Sequence, residues 1–273
     1  MLRMESETGW WLITHPDHAH LAGAFASAWG NAQFRKPEPR SRVLKGIACH
    51  DDGWAARDAH PSITSQGKPS AFSTDLVGKY SAFEEIDLEE YLAVRDRAVR
   101  IIAEQDPYAG LLISMHTYNL LTAHADRSTI APEGLVLLDA FLARQREYQG
   151  ELLAAIAADA SLTAVEAAEQ TILEHFRLLQ ACDNLSLLAC VAFSSPAHLL
   201  HPLPLNGGET AEVNVSPIAH RHFHLAPWPF AKTELSFTFP ARHVAGKLFA
   251  DSQSLEHAFH AAPVTQLTVT LSE

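Results

Sequence analysis

The sequence predicts a mainly α-helical protein with a short N-terminal strand and a small β-rich C-terminal part. Three observations carry that expectation. Apolar residues recur at the helical period through much of residues 16–193. Helix-opening residues stand before those runs, as Pro16-Asp17, Asp87 and Pro132. After His198 the pattern changes to Pro, Gly and short alternating segments.

Residues 9–14 (Gly-Trp-Trp-Leu-Ile-Thr) are aromatic and β-branched, so a strand is expected there. Pro16 fits a first helical turn and Asp17 favours its positive end, which opens a helix to about Trp29. Its stripe is Leu21, Ala22, Phe25 and Trp29. A Pro-containing connection leads to a second helix over residues 40–54, with Val43, Leu44, Ile47 and Trp54 on one side. Residues 55–83 show no period and hold Pro61, Gly67, Pro69 and Gly78. A loop that long inside a compact domain is usually disordered or functional, for example a lid. Further helices are expected over 87–105, 108–123, 132–159 and 163–193, with Asp106-Pro107 and Ser195-Pro196 as breaks. Residues 212–215, 234–239 and 266–271 alternate and read as strands, candidates to pair with the N-terminal one. The expected organisation is a helical domain over 1–198 and a β-rich extension over 199–273 packed on it.

Composition narrows the function. A hydrophobic share of 47% over 273 residues supplies a large core and excludes disorder. A net charge of -12 argues against nucleic acid as a partner, because phosphate neutralisation needs a basic surface. Cys49, Cys182 and Cys190 are odd in number and form no CxxC pair, so neither a disulfide framework nor a zinc ribbon is expected. Cys182 and Cys190 lie about 12 Å apart along one helix axis, too far to pair. All three are expected to be small buried residues in a reducing compartment. No signal peptide and no membrane-length apolar run is seen, so a soluble cytoplasmic protein with no membrane partner is expected. A homo-oligomer is left open.

The chain carries 16 His beside 20 Lys+Arg, and most are expected to be drift, yet a few stand in positions that need a reason. His50 and Asp51 follow Val43 and Ile47 and precede Trp54, at the edge of an apolar face. Asp183 falls inside the stripe of Phe176, Leu179, Leu187 and Cys190. A carboxylate there has poor helix propensity and a desolvation cost, so either a metal or a buried hydrogen-bond network must compensate. His18 shares a stripe with Leu21, Ala22 and Phe25, and His116 faces with Leu112 and Leu120. Each is either a packed core histidine or a functional one. His220, His222 and His224 alternate, so in a strand they share one face. No nucleophile elbow, P-loop or dinucleotide fingerprint is present.

His18, His50-Asp51 and Asp183 stand in the H…HD…D order and resemble the HD superfamily of metal-dependent phosphohydrolases. More closely, the chain resembles an uncharacterised bacterial family, a domain of unknown function with an HD-like fold. The carrying stretches are Ile13-Thr14, Asp17-His18-Ala19, His50 to Trp54, Ser114-Met115-His116 and Cys182 to Leu187. His15 stands where that pattern has Gln. The resemblance implies an HD-domain-like helical bundle in which His18, His50, Asp51 and Asp183 hold a divalent metal, Fe, Mn, Zn, Co or Ni. With two ions, Asp51 would bridge and His116 with His124 or His60 would complete the second site. Asp51, Asp52 and His116 are the candidate catalytic groups, Asp52 either orienting a water or facing solvent. Arg57, Lys68 and Lys79 either meet an anionic small-molecule substrate or are ordinary surface charge. The expected function is a metal-dependent hydrolase of a phosphorylated small molecule. The alternatives are a mixed-valent di-iron oxygenase and a non-catalytic metal- or ligand-binding protein.

Overall fold

Alternating burial at the N-terminus forms a hairpin of β1 (Leu2–Glu5) and β2 (Gly9–Ile13), paired in antiparallel register with Leu2 opposite Ile13. The structure is a computed structural model that describes residues 1–79, 81, 83 and 87–273. Helix α1 (His15–Ala28) follows at once, capped by the Thr14 hydroxyl, which accepts from the Asp17 amide. Then come α2 (Arg40–Ala48), the short α3 (Ala55–Asp58), α4 (Leu88–Ala103), α5 (Pro107–Ala123), α6 (Pro132–Ala157) and α7 (Glu169–Cys190). Asp87 and Asp106 cap α4 and α5. The C-terminal part holds β3 (Ala197–His198), β4 (Leu203–Pro204), β5 (Thr210–Ala211), β6 (Asn214–Ala219), β7 (His222–Ala226), β8 (Glu234–Ala245), α8 (Ser252–Ala261) and β9 (Val264–Ser272).

The expectation of a mainly α, HD-domain-like bundle is overturned. A seven-stranded curled sheet, a half-barrel, runs in the order β1-β2-β8-β9-β7-β6-β3, and 21% of the chain is strand against 47% helix. Its long members were read only in part. β8 continues through Pro240, and a proline within a run argues against a continuing strand. β1 was not expected, nor was α8. The sheet draws two strands from before the helices and five from after them, with β2 paired to β8 and β7 to β9 in parallel.

Helix α1 lies between that sheet and the other helices, touching β8 on one side and α2 and α7 on the other. Phe25 meets Phe237 of β8 edge-on at 4.9 Å and is fully buried, a side chain worth roughly 1.5–3 kcal/mol. Gly23 allows α1 and α2 to cross closely: a Cβ there would lie 2.6 Å from that of Ala48. α5 is buried around most of its girth by α2, α4, α6 and α7, which is why it shows no clean amphipathic stripe.

The second helix ends at Ala48, not Trp54, and a tight turn carries Asp52–Trp54 against α4. Gly53 makes that contact possible, because a Cβ would sit 2.6 Å from the Val94 carbonyl oxygen. The long loop after α3 lies along β1, with the Arg3 and Phe72 amides bonded to Phe72 and Met1 carbonyls. Its positions Tyr80 and Ala82, and Glu84 to Ile86 beyond it, lie outside the described residues. Among the described residues no helix is long and apolar enough to cross a membrane.

Candidate metal centre

His18, His50, Asp51, His116 and Asp183, brought by α1, the turn after α2, α5 and α7, meet in one buried cluster. His50 lies next to both other imidazoles, with ring centroids 5.2 Å apart for His18–His50 and 5.1 Å for His50–His116. The aspartates fill the spaces beside them. Asp51 Oδ2 lies 3.1 Å from His18 Nε2 and 3.9 Å from His50 Nε2. Asp183 Oδ1 lies 3.3 Å from His50 Nε2, and its Oδ2 lies 3.7 Å from His116 Nε2.

Hydrogen bonds outside the cluster decide where the ring protons are. His50 Nδ1 donates to the Ile47 carbonyl at 2.8 Å, one of the oxygens left without a helical partner at the end of α2. Ser186 gives its hydroxyl proton to the Asp183 carbonyl at 2.8 Å, so it accepts from His18 Nδ1 at 3.0 Å. Both rings therefore turn Nε2 toward carboxylate oxygens. Ring nitrogens fixed by an outer acceptor are the usual arrangement of metal-binding histidines. His50 Nε2 and His116 Nδ1 are buried with no hydrogen-bond partner.

Ligands about 2.1 Å from one ion stand roughly 3.0 Å apart when adjacent and 4.2 Å when opposite. The separations of 3.1, 3.3, 3.7 and 3.9 Å all fall in that window. Among the described residues two groups could hold an ion, His18-His50-Asp51 and His50-His116-Asp183. They share His50. Since its Nδ1 is spent on Ile47, its single remaining lone pair can serve only one of the two groups at a time.

Charge points the same way. Burial opposes ionisation of Asp51, but the Arg95 guanidinium and His50 hold its carboxyl well below the usual range. Burial likewise opposes ionisation of Asp183, yet its contacts with His50, and the charges of His50, His116 and His18, hold it at about 2. Arg95 answers Asp51 through Nη1–Oδ1 at 2.5 Å. Asp183 has only histidines around it. Burial pushes His50 down, but the charge of Asp51 and the bond to Asp183 push it up to about 9. A proton on His50 and a cation on its Nε2 are two answers to one surplus negative charge. His116 is pushed down to about 3, chiefly by burial, and stays neutral.

Arg95 escaped the sequence reading. It stands on α4 between Leu92 and Val99 at helical spacing, 7% exposed, and its guanidinium lies over the rings of Trp54 and Tyr91. An arginine inside an apolar stripe was the available signal. Other candidates lie elsewhere. Asp52 is half-exposed, with its carboxylate 3.9 Å from the exposed His20. His60 pairs with Glu256 on the surface. His15 is half-buried one turn before His18, beside Asp58 and the Met1 ammonium, and stacks on Trp54 at 4.5 Å. Among the described residues His220, His222 and His224 belong to no metal-binding group. All three cysteines are free thiols, Cys182 and Cys190 buried and Cys49 half-buried.

A cavity of about 360 Å³ reaches the cluster at His116 and Asp183, between α5, α7 and the segment around Leu76 and Val77. His124 and Lys79 also line it. A second cavity, about 270 Å³ and more polar, lies beyond Arg95 and includes Arg57. Lys68 lines neither.

Residues 1–246 match the model of a family described as a protein of unknown function, DUF3891, and the chain belongs to that family. Neither the curated proteins nor the solved structures give a significant match.

Proposed function

We propose that this DUF3891 chain is a metal-dependent hydrolase whose buried cluster of His18, His50, Asp51, His116 and Asp183 holds a divalent ion and whose substrate is a phosphorylated small molecule. The observation that carries the reading is the convergence of lone pairs, without matching donors, beside a cavity. A divalent ion bound by those side chains would acidify a coordinated water and polarise a substrate oxygen. Arg95 keeps Asp51 ionised and fixed through Oδ1, which leaves Oδ2 to face the centre. Ser186 and the Ile47 carbonyl hold His18 and His50 in the tautomers that present Nε2. His116, kept neutral by burial at the cavity wall, would present a lone pair where the cluster meets the cavity. Asp52 has no part in this scheme, because it is half-exposed and outside the cluster. The sharing of His50 between the two ligand groups disfavours a di-iron oxygenase.

The test is metal content by mass spectrometry, followed by phosphate release from p-nitrophenyl phosphate. Wild type is expected to hold one equivalent and to release phosphate, and His50→Ala and Asp183→Ala to lose both. Folded wild type that takes up none of Mn, Fe, Zn, Co or Ni would sink the proposal.

A further inference from the structure

The cavity beside the cluster has a lining that speaks to what it takes. α7 turns Gln180, Asp183, Asn184 and Leu187 toward it, at spacings of three and four. α5 turns His116, Leu120 and His124 toward it, four residues apart. Leu76, Val77, Leu188 and Leu200 close the remaining walls. Its polar side chains are Lys79, Ser81, His116, His124, Gln180, Asp183 and Asn184, among a larger apolar surface. Gln180 is 1% exposed; its amide nitrogen donates to Asn119 at 2.6 Å and its oxygen accepts from His201 at 2.5 Å. One N–H of Gln180 is left over, and Asn184 Oδ1 is buried with no hydrogen-bond partner. The one Lys or Arg in the lining is Lys79, which is exposed.

We infer that this cleft binds the apolar body of the substrate: a small molecule with a medium-length hydrocarbon or ring portion and one polar reacting group at His116 and Asp183. The inference deepens the hydrolase reading above and rests on it for the reacting end. A nucleotide or polyphosphate needs several cations or backbone donors around its oxygens, and this lining supplies one lysine. A volume near 360 Å³ is at the low end of the range of roughly 300–1,000 Å³ for small-molecule sites, enough for a compact body. Gln180 and Asn184 offer one donor and one acceptor, which suits a single polar function and not a string of charges.

The experiment uses two hydroxamates that share a metal-binding head and differ in chain, acetohydroxamate and octanohydroxamate. Each is titrated calorimetrically into Mn-loaded and into metal-free protein. Octanohydroxamate is expected to bind at least about 30-fold more tightly, since each buried methylene adds on the order of fourfold. Leu120→Trp and Leu187→Trp, which fill the cleft from partly exposed positions, are each expected to cut that preference below about threefold. Equal affinity for the two probes in both forms overturns the apolar pocket, as does a preference untouched by both variants. Adenosine monophosphate binding more tightly than octanohydroxamate also overturns it. A gain on Mn loading with no chain preference keeps the metal reading and fails the pocket. A chain preference with no gain on loading keeps the pocket and fails the metal reading.

Discussion

His15 and His18 stand one helical turn apart on α1, both face a buried aspartate, and their surroundings are opposite. Around His15 the donors and acceptors balance. The Met1 ammonium donates to Asp58 Oδ1 at 2.9 Å and to His15 Nδ1 at 2.6 Å, and the His15 amide donates to Asp58 Oδ2 at 2.5 Å. Burial and the nearby ammonium hold His15 down at about 4, so the ring is neutral and the group is closed on itself. Around His18 acceptors outnumber donors. Asp51 has Arg95, whereas Asp183 faces only the histidines His18, His50 and His116 among the described residues. Residue type and a buried aspartate partner are thus shared by both places, and the electrostatic balance separates a staple from a candidate site.

The largest way to break that contrast is Arg95→Met. It strips Asp51 of its cation and is expected to cost about 3–5 kcal/mol in urea unfolding of the metal-free protein. Saturating Mn should recover part of it, because an ion supplies the missing charge. A loss below about 1 kcal/mol would mean that Asp51 does not depend on Arg95.

Next in size is a pair of variants one turn apart. Removing one ligand from a site of order 10–16 kcal/mol costs roughly 3 kcal/mol. His18→Ala should therefore weaken Mn binding by at least about 100-fold, while His15→Ala should leave it within about threefold. Calorimetric titration reads both, and equal losses would erase the distinction between the clusters.

A third histidine sharpens the comparison from outside. His175 Nδ1 bonds the Tyr108 hydroxyl at 2.7 Å, which itself donates to the Glu166 carbonyl, and burial, with the charge of Arg35, pushes the ring down to about 4. The unfolded chain takes up a proton near pH 6.5 and the folded one only near pH 4. This stabilisation is complete above pH 6.5 and is lost as pH falls toward 4, by at most about 3 kcal/mol. His175→Gln should flatten that part of the stability profile, and metal loading should not. A profile unchanged by the substitution would count against a neutral buried His175.

Sequence reached the helices and much of the centre for the same reason, because a 3.6-residue period marks which side chains must be buried. His18, His116 and Asp183 stood out as polar residues on such faces. The short strands gave no comparable signal. β6 and β8 contain Pro217 and Pro240, which argue against a continuing strand, and β8 takes one of its partners, β2, from the far end of the chain. Arg95 was overlooked because an arginine on a helix is ordinarily at the surface. The orientation of the rings lay beyond reading altogether, since it depends on which ring nitrogen the Ile47 and Asp183 carbonyls claim, directly or through Ser186.

The joining of β2 to β8 has a consequence for how the molecule comes into being. Ser6 and His243 touch across a separation of 237 residues. α1 leaves directly from β2 and carries His18, so the support for the first ligand comes from one of the last strands to be made. Contacts of such long range form slowly, because chain entropy is lost before they repay it. During synthesis the helices can nucleate early while the edge of β2 stays open, exposed to wrong partners until β8 arrives. Assembly of the centre is thereby tied to completion of nearly the whole chain.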